Sequence, residues 1–242
     1  LYKSPQNFDQ DIVLKSFDKL LSSKCYISTV NLMGGEPLLN QELIQKILLR
    51  YKDEHQIGTF QIISNGTIVP SKETLDAMKA NGRIYVIFSN YGYLSKMQEK
   101  AVENLKRNNI EVVLVEEDDI KKENNTLWID YGDVKHYDFP REKHQKMFEE
   151  CKDGKFCTTL LGGKLFICTR IAHGVNLGLI PKDLQRCNVE LLNREEKEID
   201  GEKLRKECMD LLNCNVFPPA CEYCNRDAGI LVERAEQIKK FD

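Results

Sequence analysis

The chain has 242 residues, 41% hydrophobic and 30% charged, with 38 acidic against 35 basic side chains and a formal net charge of −3. That is the composition of a globular protein of one large domain or one and a half, and the near-balanced charge excludes a nucleic-acid binder driven by electrostatic attraction. Its apolar runs are too short to cross a bilayer and no signal peptide opens it, so a cytoplasmic protein without a membrane partner is expected.

From residue 9 onward, helical and strand periodicity alternate. Ile12, Val13, Phe17, Leu20 and Leu21 share one face of a helix over 9–21, and 26–33 reads as a strand. Asn40 caps a helix to about residue 51 that carries Leu43, Ile44, Ile47 and Leu48, and the strand 59–63 is stopped by Asn65-Gly66. Ser71 caps a helix ending at Asn81-Gly82, before the strand 84–88. Ser95 with Gln98 forms a capping box for a helix on which Met97, Ala101 and Leu105 repeat every four residues. That helix closes at Asn108-Asn109, before the strand 110–115. A weaker fifth strand is expected at 126–129, after a charged stretch 116–125 that reads as a solvated loop. A helix over 140–150 leads into a second module.

Strands joined through helices require crossovers, so the sheet is expected to be parallel, either open and doubly wound or part of a barrel. Ligands of such sheets bind at the carboxyl ends of the strands. The first strand is followed by Gly34-Gly35-Glu36-Pro37, the second by Ser64-Asn65-Gly66-Thr67 and the third by Ser89-Asn90-Tyr91-Gly92. Glycines let backbone approach a ligand, and a carboxylate beside them suits an ammonium group.

The cysteines are distributed unevenly. Of nine, only Cys25 lies in the first 150 residues. Their odd number, without a secretory signal, points to metal or cluster ligation, redox chemistry or buried thiols rather than a disulfide framework. Cys221-x2-Cys224 is a chelating pair. Thr158 to Ile167 reads as a hairpin turning at Gly162-Gly163, a register that sets Cys157 opposite Cys168, close enough to share one cluster. Cys25, Cys187, Cys208 and Cys214 read as buried or incidental thiols. His55, His136, His144 and His173 form no catalytic constellation, and Arg170 and His173, just past Cys168, read as loop residues, with a place facing substrate as the alternative. A zinc site would need four ligands from the same cysteines or His173, but the chain has one closely spaced pair where zinc ribbons have two.

Gly34-Gly35-Glu36-Pro37-Leu38-Leu39 after a strand, with Ser64-Asn65-Gly66-Thr67 after the next, resembles the core of radical S-adenosylmethionine (SAM) enzymes over about residues 9–130. The resemblance implies a partial (β/α)6 barrel in which Gly34, Gly35 and Glu36 meet the SAM amino group, and Ser64, Asn65, Ser89 and Asn90 meet its ribose and carboxylate. It implies a catalytic 4Fe-4S cluster held by a Cys-x3-Cys-x2-Cys loop. This sequence contains no such triplet, and because it begins at Leu1 rather than Met the loop is expected upstream. Cys151-x11-Gly163-x4-Cys168 followed by Cys221-x2-Cys224 is similar to the auxiliary-cluster twitch module, and to the first half of the larger SPASM module. One auxiliary 4Fe-4S cluster is therefore expected on Cys168, Cys221 and Cys224, with Cys157 favoured as fourth ligand by hairpin register and Cys151 by family spacing. The expected organisation is a radical SAM core over 1–140 and a cysteine-rich module over 141–242. The implied activity is that of an oxidoreductase, in which a 5′-deoxyadenosyl radical abstracts hydrogen from a sugar, aminocyclitol or peptide. A flavodoxin- or ferredoxin-type protein would donate the electrons. The rival expectation is a catalytically degenerate relative with a structural zinc or iron-sulfur site.

Overall fold

A computed structural model of the chain describes residues 7–115, 128–151, 153–192, 200–226 and 231–232. The fold is mixed α/β and divides into two compact units, Cys25–Thr126 and a second formed by Leu1–Lys24 with Leu127–Asp242. Helix α1 (Gln10–Ser22) is capped by Asp9, whose side chain accepts the N–H groups of Asp11 and Ile12 at 2.8 and 3.1 Å. It buries Phe17, Leu20 and Leu21 and belongs to the cysteine-bearing unit, although its place in the sequence had assigned it to the α/β core.

In the unit Cys25–Thr126, strands β1 (Ile27–Leu32), β2 (Ile57–Ser64), β3 (Ile84–Ser89) and β4 (Glu111–Val115) form a sheet in the order β1-β2-β3-β4, parallel throughout. Helices α2 (Gln41–Arg50), α3 (Lys72–Asn81) and α4 (Gln98–Arg107) connect successive strands. The order never reverses, unlike that of a doubly wound sheet, and right-handed crossovers then put all three helices on one face. Val30, Phe60, Ile62, Val86 and Phe88 point to that face, and with Ile44, Leu48, Met78, Ala101 and Leu105 they make a buried core. Level residues on the opposite face are Asn31, Gln61, Tyr85 and Glu111, where the Tyr85 hydroxyl donates to Gln61 Oε1 at 2.5 Å. Asn40 and Ser71 cap α2 and α3 by accepting the N–H groups of Leu43 and Thr74.

Arg83 fastens the end of α2 to β2. Its guanidinium donates to the carbonyls of Tyr51 and Lys52, both at 2.9 Å, of Glu54 at 3.1 Å, and of Ile57. Hydrogen bonds to a charged group contribute about 1.5–3 kcal/mol each, and those here share one exposed-edge side chain. Arg83→Ala is therefore expected to lower unfolding free energy by about 2–4 kcal/mol in urea titration, and a change below about 0.5 kcal/mol would contradict this anchoring role.

The expected fifth strand differs in kind from the other four. β5 (Trp128–Ile129) pairs antiparallel with β9 (Leu231–Val232) in the second unit instead of extending the parallel sheet. A two-residue strand forms only where a partner is supplied from elsewhere in the chain, which periodicity does not reveal. The charged stretch 116–125 lies outside the described residues.

The second unit continues with α5 (Arg141–Glu149), α6 (Asp153–Phe156), β6 (Thr159–Leu161), β7 (Lys164–Phe166), α7 (Thr169–Asn176), β8 (Asn188–Glu190), α8 (Gly201–Leu212) and a 3₁₀ turn, Pro219–Tyr223. β6 and β7 form the expected hairpin, Leu161 opposite Lys164 and Thr159 opposite Phe166. Gly162 and Gly163 turn it with φ of 56° and 81°, the doubly positive conformation of the tightest hairpin turns. β8 adds a third antiparallel strand beside β7. Among the described residues no helix is long and apolar enough to cross a membrane.

Candidate functional site

Glu36 follows β1, and its side chain turns inward, 7% exposed. One carboxylate oxygen accepts the Leu38 N–H at 3.0 Å, capping the 3₁₀ turn Pro37–Asn40, and the other accepts the Asn65 N–H at 2.8 Å. The Ser64 hydroxyl lies 3.1 and 3.0 Å from the two oxygens and donates to them, while its own oxygen accepts the Gly66 N–H at 3.1 Å. Glu36, Ser64 and Asn65 are thus brought together from the ends of β1 and β2. Among the described residues no Lys, Arg or His pairs with this buried carboxylate. A buried charge held by dipoles alone favours a cationic ligand at its remaining lone pair.

Gly34 and Gly35 stand exposed at the edge of this group. Neither has a positive φ, and a Cβ built on Gly35 meets nothing within 4 Å, while one on Gly34 meets only the Glu36 nitrogen at 4.0 Å. The protein's own packing does not demand glycine at either position, and their bare backbone is open to an approaching molecule. Asn65 Oδ1 accepts both the N–H and the hydroxyl of Thr67, at 3.0 and 2.6 Å, which turns its amide into a donor suited to carboxylate or hydroxyl oxygens.

The third loop joins through a residue that sequence reasoning placed elsewhere. Ser95 does not cap α4, whose first turn follows Met97 without a side-chain cap. Its buried hydroxyl donates to the Asn65 carbonyl at 2.7 Å and accepts the Tyr91 N–H at 2.9 Å, so it links the second and third strand ends. Met97 N–H donates to the Gly66 carbonyl at 2.9 Å, and Gly66, with φ of 73°, leaves only 2.8 Å between an added Cβ and Gln98 Cβ. Ser89 ends β3, and Asn90 Oδ1 accepts the Gly92 N–H at 2.8 Å. Three loops read separately from the sequence are one hydrogen-bonded group.

In the second unit, Cys168 stands at the N-cap of α7, Cys221 within the 3₁₀ turn and Cys224 at its end. Cys151 follows α5 and accepts the Gly154 N–H on its sulfur at 3.3 Å. Burial pushes the Cys168 thiol up to about 11, helped by the nearby Cys151 and Cys224 and opposed by the backbone N–H groups of Ile171 and Arg170. Burial, followed by the effect of Cys168, Cys224 and Cys151, raises Cys221 much further. Burial also raises Cys224, with Cys151 adding to the effect and Arg170 and Arg226 opposing it. Cys168 and Cys221 thus each feel at least two other thiols of this unit, and Cys224 feels Cys151.

Cys157 stands apart. The hairpin ladder stops at Thr159 and Phe166, so the cross-strand pairing with Cys168 does not continue, and the Cys157 thiol is exposed. It is raised by burial of part of its surface, by Asp153 and by Cys151, with no influence from Cys168, Cys221 or Cys224. Cys187 and Cys208 are buried, and Cys25 and Cys214 partly so. Arg170 and His173, expected in a loop, lie in α7, where burial holds the His173 imidazole below its usual pKa.

Among the described residues no three Cys, His, Asp or Glu side chains converge tightly enough for one metal ion. A zinc ion with bonds of about 2.3 Å would draw its sulfurs to about 3.8 Å from one another. A four-iron cluster binds each thiolate to a different iron and sets the sulfurs wider apart than zinc does, and four thiols match it in donor chemistry.

No family model, curated protein or solved structure matches the chain.

Proposed function

We propose that the chain belongs to a radical SAM oxidoreductase carrying one auxiliary 4Fe-4S cluster. The observation that carries the reading is the buried Glu36 carboxylate, without a cationic partner among the described residues, beside two glycines that the packing around them does not require. The ammonium of SAM supplies the missing charge, received by Glu36 and by the bare carbonyls of Gly34 and Gly35. The Asn65 amide, with its carbonyl occupied by Thr67, donates to SAM oxygens, and Ser89 and Asn90 line the same rim. The parallel sheet is an arc of a partial (β/α)6 barrel, its helices outside and its strand ends toward the ligand.

Cys151, Cys168, Cys221 and Cys224 hold the auxiliary cluster, with Cys151 rather than Cys157 as the fourth ligand. The catalytic cluster requires a Cys-x3-Cys-x2-Cys loop beyond these residues. When bound, SAM and a reduced cluster supply hydrogen-atom abstraction from a sugar, aminocyclitol or peptide, and a flavodoxin- or ferredoxin-type donor supplies electrons. This chain's residues bind, orient and insulate those groups.

Anaerobic reconstitution of the chain is expected to give about four irons per chain with broad visible absorption. With dithionite and SAM it is expected to yield no 5′-deoxyadenosine, because a cluster with four thiolate ligands offers SAM no open iron. Joining a Cys-x3-Cys-x2-Cys loop ahead of Leu1 should roughly double the iron and begin SAM cleavage. Stoichiometric zinc with no iron uptake would favour the degenerate, structural alternative.

A further inference from the structure

Two arginines occupy equivalent places around the four thiols. Arg170 lies two residues after Cys168, and its Nη2 donates to the carbonyls of Gly132 at 2.7 Å, Asp133 at 2.9 Å and Tyr223 at 3.5 Å, the last being the residue before Cys224. Arg226 lies two residues after Cys224, and its Nη1 donates at 2.6 Å to the carbonyl of Glu150, the residue before Cys151. Each guanidinium therefore ties one cysteine segment to the next. In both, the Nε–H is buried and has no hydrogen-bond partner among the described residues. A buried donor on a charged group left unsatisfied is costly, so each of the two calls for an acceptor.

The guanidinium of Arg170 also lies over the Tyr131 ring, 5.9 Å from its centroid, in a position fixed by packing as well as by hydrogen bonds. A cubane on four thiolates carries net negative charge, and its sulfurs accept hydrogen bonds. Net charge, hydrogen bonds to sulfur and burial are what set its potential.

We infer that Arg170 and Arg226 are the counter-ions of the auxiliary cluster, donating their Nε–H groups to its sulfurs and raising its reduction potential. The inference rests on the cluster reading above. It gives this site the chemistry of an electron acceptor, since compensating charge favours the reduced, more negative form. A merely structural role for the two arginines would affect folding and iron content and leave the potential of the loaded protein unchanged.

The test is a redox titration of the complete chain after anaerobic reconstitution, followed by visible absorption and electron paramagnetic resonance. In Arg170→Gln and in Arg226→Gln the ratio of reduced to oxidised cluster at a fixed potential should fall about tenfold, equivalent to about 59 mV for one electron. Arg226→Lys, which keeps the charge, should recover at least half of that change. Unaltered potentials in both glutamine variants at full iron content would overturn the inference and leave the cluster assignment standing. Failure of the wild-type chain to bind iron would instead overturn the assignment on which it rests. If the variants do not load, wild-type protein labelled with ¹⁵N at arginine Nε decides the question. A ¹⁵N hyperfine coupling to the reduced cluster supports the contact, and its absence refutes it.

Discussion

Replacing Cys221 by alanine is expected to remove at least half of the iron from the reconstituted chain, and Cys168→Ala, Cys224→Ala and Cys151→Ala should do the same. Cys157→Ala should leave iron content unchanged. The distinction follows from the environment of each thiol. Cys168, Cys221 and Cys224 are desolvated and influence one another, and Cys151 acts on all three. Cys157 is exposed and senses only Cys151 among the cysteines. Burial keeps the Cys168 and Cys221 thiols protonated at neutral pH, so ligation must release their protons, and the binding free energy of the cluster is in part the folding free energy of this unit. Thermal unfolding of the loaded chain should accordingly fall in the four ligand variants and not in Cys157→Ala. Iron retained by Cys151→Ala and lost from Cys157→Ala would reverse the choice of fourth ligand.

The second large effect is expected at Glu36. Glu36→Ala removes the acceptor for the Leu38 and Asn65 N–H groups and for the Ser64 hydroxyl at once, leaving buried donors unpaired, which costs about 3 kcal/mol or more. Binding of SAM to protein carrying both clusters should weaken about tenfold or more, through loss of a charge-assisted contact of about 1.5–3 kcal/mol. Glu36→Gln separates the two contributions, because one amide oxygen still accepts a hydrogen bond while the negative charge is gone. Titration calorimetry on the folded glutamine variant should show the same order of loss for SAM. Undiminished SAM affinity in that variant would mean that Glu36 serves only to join β1 to β2, and the ammonium assignment would fail.

Much of the α/β unit is legible in the sequence because its determinants are local. The four strands and three helices follow from apolar periodicity, and their ends from Asn40, Ser71 and Gly82, whose capping chemistry acts over three or four residues. The Gly162-Gly163 turn is legible for the same reason, since two successive positive φ values leave few other residue choices. Ser95 shows the limit of local reasoning. A serine three residues before a glutamine has the pattern of a helix cap, but the Asn65 carbonyl, 30 residues away in sequence, competes for its hydroxyl and holds it.

The sequence by itself determined the class of fold, the parallel sense of the sheet and the residue types gathered at its strand ends, because periodicity and crossover length constrain these directly. Only the tertiary structure decided which of those residues share hydrogen bonds. It also decided that α1 belongs with the cysteines, that α7 and α8 exist where no helix was expected, and that Cys157 is exposed beyond the end of the hairpin ladder. Long-range burial makes those choices. Desolvation and the pairing of buried polar groups depend on segments far apart in the chain, and Arg170 and Arg226, each two residues past a cysteine, acquire their meaning only when the carbonyls before Cys224 and Cys151 come within their reach.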